Sequence, residues 1–126
     1  LIDAHALLWH KNQDSRLSTA ARTVLEGNSE VPIISDVTFW EIGSKLNLGK
    51  LEMDGNLQSL RKEWIDQKAA ESLPISWQHI SGIGELPLIH RDPFDRMLVA
   101  QALVEKLTVV TCDPHIPEYP GVETMW

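Results

Sequence analysis

The sequence is poor in the residues that cross-link small proteins or anchor them in membranes. Its 126 residues include a single cysteine, Cys112, which excludes an internal disulfide and a cysteine-based zinc site. No apolar run approaches the roughly 18 residues that a membrane-spanning helix needs, and no secretory signal pattern is visible. These absences favour a protein of the reducing cytoplasm. No sequence pattern would activate the thiol of Cys112, so we interpret this residue as a small side chain near a strand end.

Positive charge is also scarce. Eleven Lys and Arg residues oppose eighteen Asp and Glu residues, which gives a net charge of −7. Affinity for phosphate backbones normally comes from Lys and Arg, so this balance argues against tight, non-specific binding of nucleic acid. Two bound divalent cations would still leave a net charge of −3. A nucleic-acid substrate would therefore be held locally, by a metal ion and a few cations, or with help from a partner chain.

Several well-known catalytic motifs are missing. No serine lies in a glycine-flanked elbow, and Gly82-Ile83-Gly84 does not follow a strand as a phosphate-binding loop would. His5, His90 and His115 lack the i, i+4 spacing of paired zinc ligands, so structural or supporting roles suit them better. The five tryptophans are too dispersed to predict a stacking platform. We expect most of them in the core, with one or two at a subunit interface.

The residues that are present favour one domain spanning residues 1–126. The composition, 43% hydrophobic and 23% charged, is that of an ordinary globular protein, and a chain of this length buries roughly two-thirds of its unfolded surface. Caps, glycine stops and apolar spacing predict helices over residues 4–11, 19–26, 36–48, 56–69 and 93–105, with a brief one between Ser76 and Gly84. Short strands are predicted over residues 31–34, 72–75, 108–111 and 122–125.

The order of these elements predicts the fold class. Strands alternate with helices along the whole sequence, which is typical of a mainly parallel sheet covered by helices on both faces. Leu1-Ile2 has the character of the end of a further strand, truncated at its N-terminus. We therefore predict an α/β protein, a three-layer α/β/α sandwich whose central sheet has four to five short strands. Residues 93–105 are apolar on most faces and are expected to form a central, buried helix.

Four acidic residues lie at the ends of apolar segments or on short helices: Asp3, Glu41, Asp95 and Asp113. The carboxyl ends of parallel strands, and the helix starts that follow them, surround one crevice in such a fold. Acids distributed in this way can converge, and converged carboxylates repel one another unless a hard divalent cation with oxygen ligands lies between them. The pattern therefore favours a metal-dependent phosphodiesterase.

Ordinary structural roles stay open for some of these acids. Pro93 suits the first helical position, which makes Asp92 the N-cap and Asp95 a partner in a capping box. Glu41 precedes Lys45 by four residues, the favoured order for an exposed ion pair on a helix. Both interpretations compete with a role in the crevice.

Asp113 also has a competing role, since it precedes Pro114 directly after a predicted strand and suits the start of a turn. Asp3 follows a buried strand and has no nearby turn residue to explain it. Asp3 therefore has the fewest structural alternatives among the acids.

Three segments of the sequence resemble the PIN-domain family, and within it the VapC-type toxins of bacterial and archaeal toxin–antitoxin pairs. They are Leu1-Ile2-Asp3-Ala4-His5-Ala6-Leu7-Leu8-Trp9, Phe39-Trp40-Glu41-Ile42 with Lys45 and Leu48-Gly49-Lys50-Leu51-Glu52, and His90-Arg91-Asp92-Pro93-Phe94-Asp95-Arg96 with Ala100-Gln101-Ala102. Thr111-Cys112-Asp113 resembles the strand-end aspartate of the same proteins. The resemblance covers essentially the whole chain, in order.

This resemblance implies a PIN fold and a Mg²⁺- or Mn²⁺-dependent endoribonuclease that acts on RNA. Such proteins are usually homodimers and are held inactive by a VapB-type antitoxin. The catalytic acids carry over to Asp3, Glu41, Asp95 and Asp113. Of these, Asp3, Asp95 and Asp113 are expected to be metal ligands, with Glu41 completing the site, in part through water.

Two accessory positions and one departure accompany this assignment. Asp92 is an extra acid of this branch, and Arg96 is expected either to contact a substrate phosphate or to pair with Asp92 or Asp95. Many family members have Thr or Ser after the first aspartate, whereas this chain has Ala4, so one hydroxyl contact is expected to be lost. The alternatives to a toxin are a PIN nuclease of RNA processing without an antitoxin and a catalytically weak PIN domain that binds other proteins.

Overall fold

The computed structural model describes residues 1–27 and 30–126. Its α-helices are α1 (Ala4–Lys11), α2 (Thr19–Leu25), α3 (Asp36–Asn47), α4 (Leu57–Arg61), α5 (Trp77–Ile83) and α6 (Pro93–Glu105). Its strands are β1 (Ile33–Ser35), β2 (Glu71–Leu73), β3 (Val109–Val110) and β4 (Thr124–Met125). A π-helical turn (Lys62–Gln67) follows α4, and a 3₁₀ turn (Ile116–Glu118) follows β3. None of the described helices is long and apolar enough to cross a membrane.

The strands form a parallel arrangement in the order β2, β1, residues 1–2, β3, β4. β1 pairs with β2 and β3 with β4, both in parallel. The first residues join the two pairs, because the Ile2 amide donates to the Ile33 carbonyl (2.9 Å) and the Val110 amide donates to the Leu1 carbonyl (2.8 Å). Ile2 and Val110 form a parallel bridge. The predicted mainly parallel sheet is confirmed, with strands shorter than the apolar runs suggested.

Side chains alternate between two cores on opposite faces of this sheet. Ile2 and Val110 belong to one cluster, with apolar residues of α1, α2 and α3. Leu1 and Val109 belong to the other, with apolar residues of α6 and the 3₁₀ turn. This is the period-2 alternation of a strand buried on both faces. The α/β/α sandwich that the sequence predicted is therefore confirmed.

The helix starts follow from their caps. The Ser18 hydroxyl accepts from the Ala21 amide, and the Ser35 hydroxyl accepts from the Val37 amide. Asp92 caps α6 by accepting from the amides of Phe94 and Asp95, at 2.8 and 3.4 Å. Each cap satisfies amides that have no partner within the helix, and for this reason each of the three helices begins where the sequence predicted.

The segment predicted as one helix over residues 56–69 is instead two elements. α4 ends at Arg61, and the π-helical turn continues to Gln67. Leu60 and Trp64 are nonetheless both fully buried, so the sequence correctly predicted which side of this segment faces the core. Beyond the turn the Ala70 amide donates to the Trp64 carbonyl, six residues earlier (3.0 Å). β2 begins at the next residue, Glu71.

Three of the five tryptophans lie in or against the core, as the sequence predicted. Trp64 is fully buried, and Trp9 and Trp126 pack, partly buried, against the same cluster, whereas Trp40 and Trp77 are 54% and 74% exposed. Trp40 lies on the outer face of α3, whose inner face is already filled by Phe39 and Ile42. Position on the helix, rather than hydrophobicity, therefore separates the exposed Trp40 from its buried neighbours.

Candidate metal centre

Asp3 lies where residues 1–2 leave the sheet and α1 begins. Its side chain makes no capping bond to α1 and is 2% exposed. Instead its Oδ2 accepts a 2.7 Å hydrogen bond from the Thr111 hydroxyl, which follows β3. The Thr111 oxygen also accepts from the Asp113 amide (3.0 Å). One buried hydroxyl therefore fixes the first acid and the backbone of the last.

Glu41 comes from the inner face of α3. The Thr38 hydroxyl, one turn earlier, donates to the Ile2 carbonyl (3.0 Å) and holds this face against the start of the chain. Lys45 Nζ donates to Glu41 Oε1 at 2.5 Å, so the predicted ion pair exists. It is not an exposed pair, since the Glu41 side chain is only 7% exposed. The apolar neighbours of Glu41 bury its stem, and the carboxylate reaches the crevice beside Asp3.

Asp95 lies in the first turn of α6, but it does not form the predicted capping box. Its Oδ2 lies 3.0 Å from Nε2 of His90, and the other ring nitrogen of His90 lies 3.1 Å from the Tyr119 hydroxyl. Asp92 alone performs the capping and is exposed. The two acids thus have different roles: Asp92 caps the start of α6, and the Asp95 carboxylate lies in the crevice.

The structure brings the four predicted acids together. Carboxylate oxygens of Asp3, Glu41 and Asp95 all lie within 4.8 Å of one another. Asp95 also belongs to a second group, in which its oxygen, a His90 nitrogen and an Asp113 oxygen lie within the same distance. Asp113 keeps the predicted turn role as well, because its Oδ1 accepts from the His115 amide (2.7 Å).

The charges in this crevice are incompletely balanced. Burial raises the pKa of Asp95 to about 7, and the negative charges of Asp92, Asp3, Glu41 and Asp113 add to the increase. Burial also raises the pKa of Glu41, and the hydrogen bond from Lys45 offsets this only in part. Proton uptake at Asp95 is what a carboxylate cluster without sufficient positive charge is expected to show.

The donor set fits a hard divalent cation. Carboxylate oxygens from separate elements converge within the distance that one ion can bridge, and oxygen is the ligand that Mg²⁺ and Mn²⁺ prefer. A cation there would replace the proton that the raised pKa of Asp95 favours. His90, Thr111 and Lys45 complete the surroundings. Lys45 is the ion-pair partner that the sequence predicted for Glu41, and His90 lies only five residues before Asp95. No local pattern predicted the contact of Thr111, which joins residues 108 positions apart.

Arg96, predicted as an accessory residue of the site, makes contacts other than the predicted ones. Arg96 pairs with neither Asp92 nor Asp95. Its guanidinium donates to the carbonyls of Pro87 (2.8 Å), Ile83 (3.3 Å) and Leu86 (3.4 Å), and so fastens the end of α5 to α6. The ion-pair alternative for Arg96 is therefore wrong, and a phosphate contact would compete with three backbone carbonyls.

A hydroxyl contact to Asp3 is nevertheless present, and it comes from Thr111, which follows β3. Ala4 itself, which carries no hydroxyl, is buried. Of the histidines, His90 contacts Asp95, His5 Nδ1 lies 3.9 Å from Asp3 Oδ2, and His115 hydrogen-bonds Glu118 at 3.1 Å.

Comparisons with known proteins agree with this geometry. The family model described as PIN domain matches residues 1–122. The solved structure of VapBC2 from Rickettsia felis, bound to a DNA fragment from their promoter, matches with a TM-score of 0.73. The match covers 98% of this chain and 95% of that one at 16% sequence identity, which shows a shared fold. A search of curated proteins found no match.

Proposed function

This chain belongs to the PIN domain family, and on that premise we propose that it is a Mg²⁺- or Mn²⁺-dependent endoribonuclease, the toxin of a toxin–antitoxin pair. One observation carries the proposal. Oxygens of Asp3, Glu41 and Asp95 lie within 4.8 Å of one another at an edge that Asp113 also reaches. Carboxylates gathered in this way suit phosphodiester hydrolysis, in which a divalent ion offsets the charge of the reacting phosphate.

Asp3, Asp95 and Asp113 would hold the ion, and Glu41 would contact it through water. When bound, the ion supplies a water of lowered pKa and positive charge at the phosphate. Lys45 balances the charge of Glu41 and keeps its carboxylate directed at the crevice. This pairing leaves the three aspartates to carry most of the negative charge that attracts a cation.

Thr111 and His90 would keep the ligands in place before substrate arrives. Thr111 fixes Asp3 with its hydroxyl proton and the Asp113 backbone with its oxygen. His90 links one oxygen of Asp95 to Tyr119, which is 1% exposed and belongs to the core under α6. Such outer contacts typically change metal affinity or activity by about 10- to 100-fold.

The toxin role rests on the structural relative and on charge. The Rickettsia felis protein is a VapBC2 complex with promoter DNA, so we propose a VapB-type antitoxin for this chain as well. From the sequence resemblance we also propose a homodimer and a cytoplasmic location. An acidic crevice in a chain of net charge −7 suits an inhibitor that inserts Arg or Lys among the catalytic acids. The RNA substrate would meet the same crevice when the inhibitor leaves.

The direct test is cleavage of end-labelled single-stranded RNA by the purified chain. We expect cleavage with Mn²⁺ or Mg²⁺ and none with EDTA. Glu41→Gln should lower the rate by about 10-fold or more, because it removes one of the negative charges that surround the ion. Glu52→Gln removes the same charge from an exposed loop position and should leave the rate unchanged. Cleavage that persists in EDTA would refute a metal-dependent mechanism.

A further inference from the structure

An aromatic and cationic cluster borders the candidate metal centre. His5, which is exposed, and Trp9, which is partly buried, lie four residues apart on one face of α1, with ring centroids 5.9 Å apart. Trp126 follows β4 and packs edge-on against Trp9, at a centroid distance of 5.5 Å. The fold therefore joins two tryptophans from opposite ends of the chain, although their separation in sequence predicted no platform.

Arg16 covers the Trp9 ring. Its Cζ lies 4.5 Å from the ring centroid, while the Arg16 side chain is 65% exposed. Asp14 holds the guanidinium from the side, with Nε 3.0 Å from Oδ1 and Nη2 2.6 Å from Oδ2. The bidentate carboxylate and the indole together fix the orientation of the guanidinium plane.

The aromatic and cationic cluster contacts the candidate metal centre through His5 and Asp3. His5 Nδ1 lies 3.9 Å from Asp3 Oδ2, and the His5 side chain is 50% exposed. From the crevice outward the order is Asp3, His5, Trp9 and Arg16. A strand of RNA with its phosphate at Asp3 would therefore pass its neighbouring nucleotides over these side chains.

We propose that Arg16, supported by Trp9 and fixed by Asp14, is a nucleobase-stacking platform that binds an unpaired RNA base near the scissile phosphate. This inference rests on the proposed ribonuclease function. Unpaired bases stack on Arg guanidinium planes as well as on aromatic rings. Asp14 already neutralises Arg16, so a phosphate is the less favourable ligand and an uncharged base the better one. Stacking also needs no net positive charge, which this acidic chain lacks.

The test measures binding of two fluorescein-labelled oligomers in EDTA, where metal-dependent cleavage is stopped. One is a 12-nucleotide oligoadenylate, and the other is an abasic oligomer of the same length and charge. Arg16→Ala should weaken oligoadenylate binding roughly 5- to 100-fold, the usual range for one stacked base. Because the variant also leaves the Asp14 charge unpaired, abasic binding should weaken only as much as it does in Arg61→Ala. Arg16→Lys keeps the charge without the plane and should also weaken oligoadenylate binding. Arg61→Ala, an exposed arginine of α4, is the control for loss of charge alone.

Two results would overturn the platform. Equal weakening of both oligomers by Arg16→Ala, with recovery in Arg16→Lys, would identify a phosphate contact. No change with either oligomer would mean that RNA does not reach this surface, as expected if a protein partner covers it. Cleavage of the same oligoadenylate with Mn²⁺ is assayed in parallel. Cleavage without an Arg16 effect refutes the platform alone, and base-dependent binding without cleavage refutes the nuclease alone.

Discussion

At the scale of single residues, Asp92 and Asp95 show how one helix start gives two carboxylates different tasks. Asp92 precedes the helix, so its side chain folds back and accepts from the first free amides. Asp95 lies within the first turn and points away from those amides toward His90. Position relative to the cap, rather than residue type, separates the structural acid from the candidate catalytic one.

This division predicts unequal effects of the same substitution. Asp95→Asn keeps the shape and removes the charge, so metal-dependent RNA cleavage should fall by about 100-fold or more. Asp92→Asn should change the rate only a few-fold, because Asn is itself a good N-cap. Circular dichroism of both variants controls for folding of α6. An inactive Asp92→Asn beside an active Asp95→Asn would reverse the assignment of the third acid.

The raised pKa of Asp95 predicts how stability depends on pH without metal. This carboxyl titrates near 7 in the folded chain but near 3.8 when unfolded, so between these values the folded state binds more protons. The free energy of unfolding should therefore decrease as pH rises from about 4 to about 7. In EDTA at pH 8, Asp95→Asn should be more stable than wild type by roughly 1–3 kcal/mol, and near pH 4 equally stable. Urea unfolding at both pH values measures this; a difference independent of pH would contradict it.

At the scale of elements, local signals predicted the helices better than the strands. α6 matched its prediction over Pro93–Glu105 because Asp92 and Pro93 fix its start within the local sequence. β3 and β4 are only two residues long, although each apolar run is longer. Strand length depends on how far a neighbouring strand remains within hydrogen-bond distance, which no local pattern encodes.

The residues of the candidate site were likewise predictable only where a local sequence pattern marks them. Asp3 and Asp113 were identified because acids after apolar segments meet at the carboxyl edge of a parallel sheet, and the structure places them there. Thr111 carried no such signal, because its contact with Asp3 exists only after the start of the chain and β3 are assembled. His90 was given a structural or supporting role, and its contact with Tyr119, which links Asp95 to the core, also depends on the assembled fold.

Gln101 connects the elements that carry the acids. It is fully buried on α6, its Oε1 accepts from the Ser35 hydroxyl that caps α3 (2.5 Å), and its Nε2 donates to the Pro74 carbonyl (3.3 Å). Gln101→Leu would remove the acceptor of the Ser35 hydroxyl proton and the donor to the Pro74 carbonyl, and should cost about 1–3 kcal/mol of unfolding free energy in urea. Gln78→Leu, on the exposed face of α5, is the matched control. Equal losses in both variants would show that the buried bonds do not matter.

At the scale of the whole molecule, the acids come from four separate parts of the fold. Asp3 precedes α1, Glu41 lies on α3, Asp95 lies on α6 and Asp113 follows β3. The two hydrophobic cores on either side of the sheet force these parts together despite the repulsion of their charges. Part of the stability that the cores provide is therefore used to hold the carboxylates close, and a cation would relieve that repulsion.

Metal binding should consequently stabilise the entire fold. An ion that binds only the folded state at 100 times its Kd adds about 2.7 kcal/mol, which corresponds to a rise in Tm of roughly 10 °C for a chain of this size. In the double variant Asp3→Asn, Asp113→Asn the Mn²⁺-dependent rise should vanish, while its Tm in EDTA should exceed that of wild type because repulsion is reduced. The double variant Glu52→Gln, Asp54→Asn removes the same charge from an exposed loop and should respond to Mn²⁺ as wild type does. Differential scanning fluorimetry with Mn²⁺, Mg²⁺ and EDTA measures all three proteins. If the Asp3 and Asp113 double variant kept the full Mn²⁺ effect, the ion would have to bind outside the crevice.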